Sequence, residues 1–426
     1  MLVFIIRLSA VIISFLSFIF YQNNFNMDLF AEYLFVIIIL NIFVMFSRYG
    51  GTDFVTLNDA ENRQNKLYTL LKLYLSQFFY ILPVCFVILS VNYNYLLYTS
   101  ALLVAPLINF SEACERMILM NKSSALVAVS RTLLAPASNL LICVLLIHFT
   151  NSAGVWIIAS AILISLILRA TLSGVLAVCS FGIPVKSGLK IKRKLAVQTT
   201  ITAGASSLFI ATDSILIKYF LTTENFIAYQ AIMKIMIIIS VASFVLENRY
   251  LSSIFNSDKI DYSHYLKRAN HFFIIIVLIL SFFQEILFEI LKIDDDYVLL
   301  FYCVLFYKIF ELNYSYFSTI LSYYGKFYRQ KIINVNVFIS NFVFGGCAAY
   351  YFGLYGIVMS FALHVGLLAM LRMYYVVNSS FSVINEIKRV AVLIVCLAIS
   401  VTFIENLSLQ LGAQQILYVQ SLLGKL

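Results

Sequence analysis

The residues of this sequence that could do chemistry are charges set inside long apolar runs. Lys234 and Lys308 each sit near the middle of such a run. Asp213 lies past the middle of another, with Lys218 five residues further on. Glu311 follows Lys308 by three residues, hence on nearly the same helix face. Arg7 sits in the first third of the first run, and Arg169, Glu112 and Glu115 lie near run ends. A charge at the centre of a bilayer costs at least about 2.5–3.5 kcal/mol, so each such residue is a functional candidate by default. The bland alternatives differ in weight. Arg169, Glu112, Glu115, Lys218 and Arg7 can reach a polar interface by snorkelling. Lys308 and Glu311 can be a neutralising pair that fixes helix packing. Lys234 has no partner within one turn of its own helix, so it needs a cavity or a distant carboxylate, and Asp213 is the natural candidate. His364, midway along a run, reads as a packing histidine.

The elements that must position these groups follow from composition. The chain has 426 residues, 62% hydrophobic and 12% charged, with mean hydropathy +0.95. Soluble chains run near roughly 45–50% apolar and about 25% charged. Apolar runs of some 20 residues recur throughout, each long enough to cross roughly 30 Å of hydrocarbon as a helix. The ten-residue alternating segments of a membrane β-barrel are absent. The seven cysteines are scattered with no CxxC pair, and read as small apolar fillers, with no disulfide and no metal site expected. No P-loop, GxGxxG, HExxH or GxSxG occurs, so the chain reads as a non-enzyme without its own ATP-driven motor.

The runs fall at about 2–21, 29–47, 70–91, 96–115, 124–148 and 154–179, then 197–221, 226–247, 271–291, 297–323, 333–351 and 355–377. A thirteenth falls at 390–405, and 406–424, with four glutamines, either spans or lies on the surface. The first run lacks a basic leader and a cleavage site, and reads as an uncleaved helix. Loops after even-numbered runs, with their helix ends, hold 22 of the 29 Lys and Arg residues; the alternate loops hold only Lys292. The positive-inside rule then puts the even loops and the N-terminus in the cytoplasm. The same rule accounts for the net charge of +9, with no nucleic-acid partner implied.

The two six-run series resemble each other. Phe30-Ala31-Glu32-Tyr33 parallels Phe226-Ile227-Ala228-Tyr229, and Asn139 precedes Gly154 by the same 15 residues that separate Asn341 from Gly356. The offset is 196 residues early and 202 late. The expected architecture is all-α and polytopic, with 12–14 transmembrane helices in two parallel six-helix lobes. The first lobe is 1–180, a basic linker 181–196, the second lobe 197–377, and one or two extra helices 378–426. Parallel repeats bind substrate between halves near the midplane. Cations exceed acids among the intramembrane charges, which suits an anionic substrate.

Four stretches carry a resemblance to a known family. They are Leu208-Phe209-Ile210-Ala211-Thr212-Asp213 through Phe226-Ile227-Ala228-Tyr229-Gln230-Ala231; Tyr323-Tyr324-Gly325-Lys326; Asn334 and Asn341; and Tyr351-Phe352-Gly353-Leu354-Tyr355-Gly356-Ile357. In order and spacing they resemble the multidrug/oligosaccharidyl-lipid/polysaccharide exporter superfamily (MOP, with a MATE-like fold), specifically its polysaccharide-transport branch of O-antigen and capsule flippases. The resemblance implies a multi-pass protein of the bacterial inner membrane. It would move an undecaprenyl-pyrophosphate-linked oligosaccharide from the cytoplasmic to the periplasmic face by alternating access. It implies no cofactor, but H+ or Na+ as a coupling ion. Its partners would be the lipid-linked oligosaccharide, membrane lipids, and the polymerase and chain-length regulator of the same glycan pathway. Lys234, Lys308, Lys218 and Arg7 would attract pyrophosphate or acidic sugars, and Asp213 and Glu311 would balance charge or carry the ion. Two other classes compete: a polysaccharide polymerase, which needs a larger outer loop than any here, and a small-molecule antiporter, whose substrates are often cations.

Overall fold

Backbone in hydrocarbon must satisfy its own N–H and C=O groups, so long apolar runs fold as helices. The computed structural model of the chain describes residues 2–49, 51, 63–92, 95–119, 134–150, 152–186, 193–256, 262–323 and 327–377. Helices occupy the described parts of all twelve of the first expected runs. They are α1 (Leu2–Asn24), α2 (Met27–Phe46), α3 (Arg63–Val91), α4 (Leu96–Leu119), α5 (Ala135–Thr150), α6 (Val155–Phe181), α7 (Arg193–Phe220) and α8 (Thr223–Asn256). The ninth run is α9 (Tyr262–Phe282) plus the short α10 (Gln284–Leu291), bent by 61°. The tenth is α11 (Val298–Tyr323). The last two runs form α12 (Phe327–Val377), whose two halves fold back on each other at Gly353, so that Ser340 meets His364 at 2.8 Å; the φ of 58° at Gly353 lies where only glycine is unstrained. The runs at 390–405 and 406–424 lie outside the described residues, as does most of the 181–196 linker.

By length and apolarity alone, six of the described helices qualify as membrane spans, or seven if α9 and α10 count as one. The chain is a multi-pass membrane protein. Large apolar side chains remain on outward faces, among them Phe79, Phe86 and Val87 of α3 and Ile164 and Leu168 of α6. Such faces suit lipid and would be costly in water.

Packing forms two compact units, Met1–Lys234 with Leu321–His364, and Ile235–Ile320 with Val365–Leu426. In the first, α4 is the central post. It packs on α2, α3 and α6, while α7 lies along α2 and α1 along α5. Tyr21 of α1 stacks on Tyr33 of α2, with ring centroids 4.3 Å apart, and its hydroxyl donates to Asn139 of α5 at 2.5 Å. In the second unit, Phe288 of α10 meets Phe301 of α11 edge-on at 5.7 Å.

A buried ion pair ties α4 to α6. Arg169 Nε and Nη2 donate to the two carboxylate oxygens of Glu115 at 3.3 and 3.1 Å, and Ser173 donates to the same carboxylate at 2.9 Å. Glu115 is 1% and Arg169 8% exposed, so these residues pair internally where the sequence suggested snorkelling. Removing one partner strands the other, at a cost of about 3–5 kcal/mol, whereas an apolar replacement of both is often neutral. Arg169→Met should therefore lower the melting temperature in detergent. Glu115→Met added to it should recover most of the loss, and a double variant as unstable as the single would show that the pair does not act as a unit.

Candidate functional site

Three helices of the first unit border an open polar cavity of about 440 Å³. α2 supplies Asn41 and Met45, and the turn after it Arg48; α7 supplies Thr199, Thr202, Ala203, Ser206, Ser207 and Ile210; α12 supplies Gln330 and Asn334. The spacings are i, i+3/i+4, i+7 and onward, which puts each set on a single stripe of its helix. The walls offer hydroxyls, carboxamides and one guanidinium, with no carboxylate among them. Such a lining suits an anionic ligand with many hydroxyl groups.

The position of Arg48 is fixed from two sides. Asn109 of α4, fully buried, donates to the Val44 carbonyl at 2.7 Å and to Ser47 Oγ at 2.8 Å. Tyr74 of α3 donates to the Arg48 carbonyl at 3.1 Å. On the facing wall, Asn334 donates to the Thr202 carbonyl at 3.3 Å, tying α12 to α7.

The α7 stripe continues beyond the cavity. One turn past Ile210 lies Asp213, 1% exposed, which accepts from the Ser214 backbone N–H at 2.7 Å and from the Tyr229 hydroxyl of α8. Gln230 donates to Ser214 Oγ at 2.9 Å, so Asp213 sits in a polar knot between α7 and α8. A turn further, Lys218 Nζ lies 2.9 Å from Glu32 Oε1 of α2, and Tyr98 of α4 donates to the same carboxylate. Phe35 closes around this pair against Tyr219 and Phe226, at 5.8 and 6.2 Å. Between Thr199 and Lys218 the helix rises roughly 28 Å, close to the thickness of the hydrocarbon.

The other sequence candidates are placed as follows. Lys234 does not reach Asp213; its Nζ lies 3.4 Å from Ser14 Oγ of α1, and no ion pair is present at Lys234 among the described residues. The expected Lys234–Asp213 pair is thus replaced by two separate sites: the Asp213 carboxylate is bonded to Tyr229 across the α7–α8 contact, and Lys234 stands by Ser14. In the second unit, Lys308, 8% exposed, lies 2.5 Å from Glu311. Arg7 falls in α1, with its side chain outside the described residues. His364 is bonded to Ser340 Oγ and to the Ser360 carbonyl, both at 2.8 Å, as a packing histidine would be.

Sequence reading missed Glu32 and the cavity wall. Glu32 stands in the repeated Phe-Ala-Glu-Tyr stretch, but only the distant partner Lys218 marks it as a site residue. Arg48 was legible only as a loop charge, and Asn334 only through the family resemblance. The hydroxyls at 199, 202, 206 and 207 carried a usable signal: four on one face of a run that crosses the membrane.

The fold has clear counterparts. A crystal structure of MATE in complex with MaD3S superposes with TM-score 0.66 at 14% identity, covering 92% of this chain and 94% of that one. A ligand complex of the MATE multidrug transporter DinF-BH gives 0.64 at 17%, covering 88% and 93%. A MOP superfamily transporter from Pyrococcus furiosus gives 0.63 at 13%, covering 92% and 94%. The chain has the MATE fold. No family model matches the sequence, and no curated protein matches it significantly. At these identities the MATE likeness establishes architecture, and the site must speak for the substrate.

If the Glu32–Lys218 pair couples α2 to α7, Glu32→Lys should lower thermal stability in detergent. The exchange Glu32→Lys with Lys218→Glu should restore it, with a coupling of ~1 kcal/mol or more in the double-mutant cycle. Additive losses would show that the two residues do not act together.

Proposed function

We propose that this MATE-fold protein is a flippase for a lipid-linked oligosaccharide, an O-antigen or capsule repeat unit on undecaprenyl pyrophosphate. The cavity between α2, α7 and α12 carries this reading: it offers a guanidinium, hydroxyls and carboxamides, and no carboxylate. A pyrophosphate matches the cation, and sugar hydroxyls match the neutral polar groups. Lys234, a cation without an acidic partner among the described residues, adds to the positive field. One fold neighbour is itself described as having a binding pocket of reverse polarity, so a shared scaffold with a differently charged pocket has a counterpart.

In this reading the membrane is the bacterial inner membrane and the N-terminus is cytoplasmic, as the loop charges suggest. The cavity then lies toward the cytoplasmic end of α2, α7 and α12, and the Glu32–Lys218 pair toward the periplasmic end. The arrangement fits a state loaded from the cytoplasm and sealed outside. Two six-helix lobes, 1–180 and 197–377, would exchange access, with Lys218 released from Glu32 as the outer side opens. Lys308 and Arg7 would add to the cationic charge that meets the substrate. Asp213, held by Tyr229, and Glu311, beside Lys308, are the carboxylates available to carry a coupling H+ or Na+. The polymerase and chain-length regulator of the glycan pathway would receive the product.

The second reading is a small-molecule antiporter, favoured by the multidrug transporter named among the fold neighbours. A cationic drug, however, would meet Arg48 in the cavity. Deleting the gene and adding a glycan-specific lectin to spheroplasts separates the readings. Repeat units hidden until lysis are expected, and Lys234→Met should complement the deletion at least about tenfold less well than the wild type, as loss of one desolvated charge contact implies. Repeat units exposed outside but unpolymerised would mean a polymerase, and a normal glycan would leave the antiporter reading standing.

A further inference from the structure

A second cavity, of about 460 Å³, shares no residue with the one above. α3 and α6 both pack on α4 but barely touch each other, so a groove runs between them. Leu67, Leu71 and Leu75 form one wall, Gly174 and Val178 stand on the other, and Phe110 of α4 is the floor. A Cβ at Gly174 would approach the Phe110 ring to 3.3 Å, so glycine there keeps the groove deep. Its two hydroxyl-bearing side chains are spoken for: Tyr74 donates to the Arg48 carbonyl, and Thr171 to carbonyls of its own helix at 2.8 and 2.9 Å. The interior therefore accepts hydrocarbon and offers polar groups little.

One end is different. Arg63 stands one turn before Leu67 on the groove face of α3, and its guanidinium lies 5.5 Å from the Phe181 ring at the end of α6. Gln64 stands against Gly182, so the start of α3 lies beside the end of α6. Lys186 is exposed two residues past Pro184, which lines the groove. Both walls thus end in a cation at the same end, the end that the loop charges assign to the anionic cytoplasmic leaflet. The flanking faces are apolar and outward, so the groove opens onto lipid.

We infer that this groove binds one anionic phospholipid of the bilayer, with an acyl chain between α3 and α6 and the phosphate on Arg63 and Lys186. A phospholipid is the occupant because it joins a long hydrocarbon chain to an anion at the interface, which is the sequence of surfaces found here. A neutral lipid would use the groove but bring no anion to Arg63 and Lys186. A protein helix would pack on Ala170 and Gly174, but would meet Arg63 and Lys186 only if it carried an acid at that end.

The test uses the full chain in vesicles of phosphatidylcholine with trace spin-labelled phosphatidylglycerol or phosphatidylcholine. The motionally restricted fraction should favour phosphatidylglycerol on the order of tenfold, as two interfacial cations imply. Arg63→Gln with Lys186→Gln should bring the two lipids level. Val175→Trp, which fills the groove and keeps both cations, should also remove most of the restricted phosphatidylglycerol. Unchanged melting temperatures in detergent would certify that both variants fold. Equal retention of the two lipids by the wild type would overturn the inference, as would full preference in the Arg63→Gln, Lys186→Gln protein. Displacement by undecaprenyl phosphate but not by unlabelled phosphatidylglycerol would assign the groove to the carrier lipid and overturn it as well.

Discussion

The cost of holding a charge in hydrocarbon organises this molecule. Such a charge must pair, reach water, or face a polar cavity. Arg169 pairs with Glu115, Lys218 with Glu32, and Lys308 with Glu311. The first two are also cross-links, α6 to α4 and α7 to α2, so the charges that threaten the fold are the ones that fix its helices. Lys234 stands apart, with only Ser14 beside it among the described residues. A lysine at that depth needs a ligand or water to answer its charge, or must stand as the neutral amine.

The face of α7 links these features. Its first turns present hydroxyls to the cavity, its middle buries Asp213 under Tyr229, and its far end clasps Glu32. A single helix thus carries an open polar chamber, a sealed carboxylate and a clasp, in that order. For the alternating access proposed above this is a workable division of labour, because ligand and clasp would act on one rigid rod. The groove between α3 and α6 stands outside this line, on the lipid side of the same unit.

The helices were legible because hydrophobic length is a strong signal and the bilayer sets it. The described parts of all twelve runs are helical, although the sequence does not reveal that the last two fold back on each other at Gly353, where Ser340 meets His364, or that α9 and α10 are bent by 61°. Lys308 with Glu311 was readable because a spacing of three suffices. Pairs between helices were not: Glu32 with Lys218 and Glu115 with Arg169 lie far apart in sequence, and nothing in either neighbourhood names the other. Asp213 and Lys234 illustrate the same limit from the opposite side. They stand on consecutive helices and are opposite in charge, yet Tyr229 intercepts the carboxylate.

The measurement that bears most directly on the account is translocation by the purified protein. A fluorescent oligosaccharide on polyprenyl pyrophosphate would be placed in both leaflets of proteoliposomes, and the fraction accessible to an external quencher followed with time. The account predicts that the protein brings inner-leaflet lipid to the quencher, and that it does not expel a cationic dye under a proton gradient. Expulsion of the dye, with the glycolipid left in its leaflet, would contradict it.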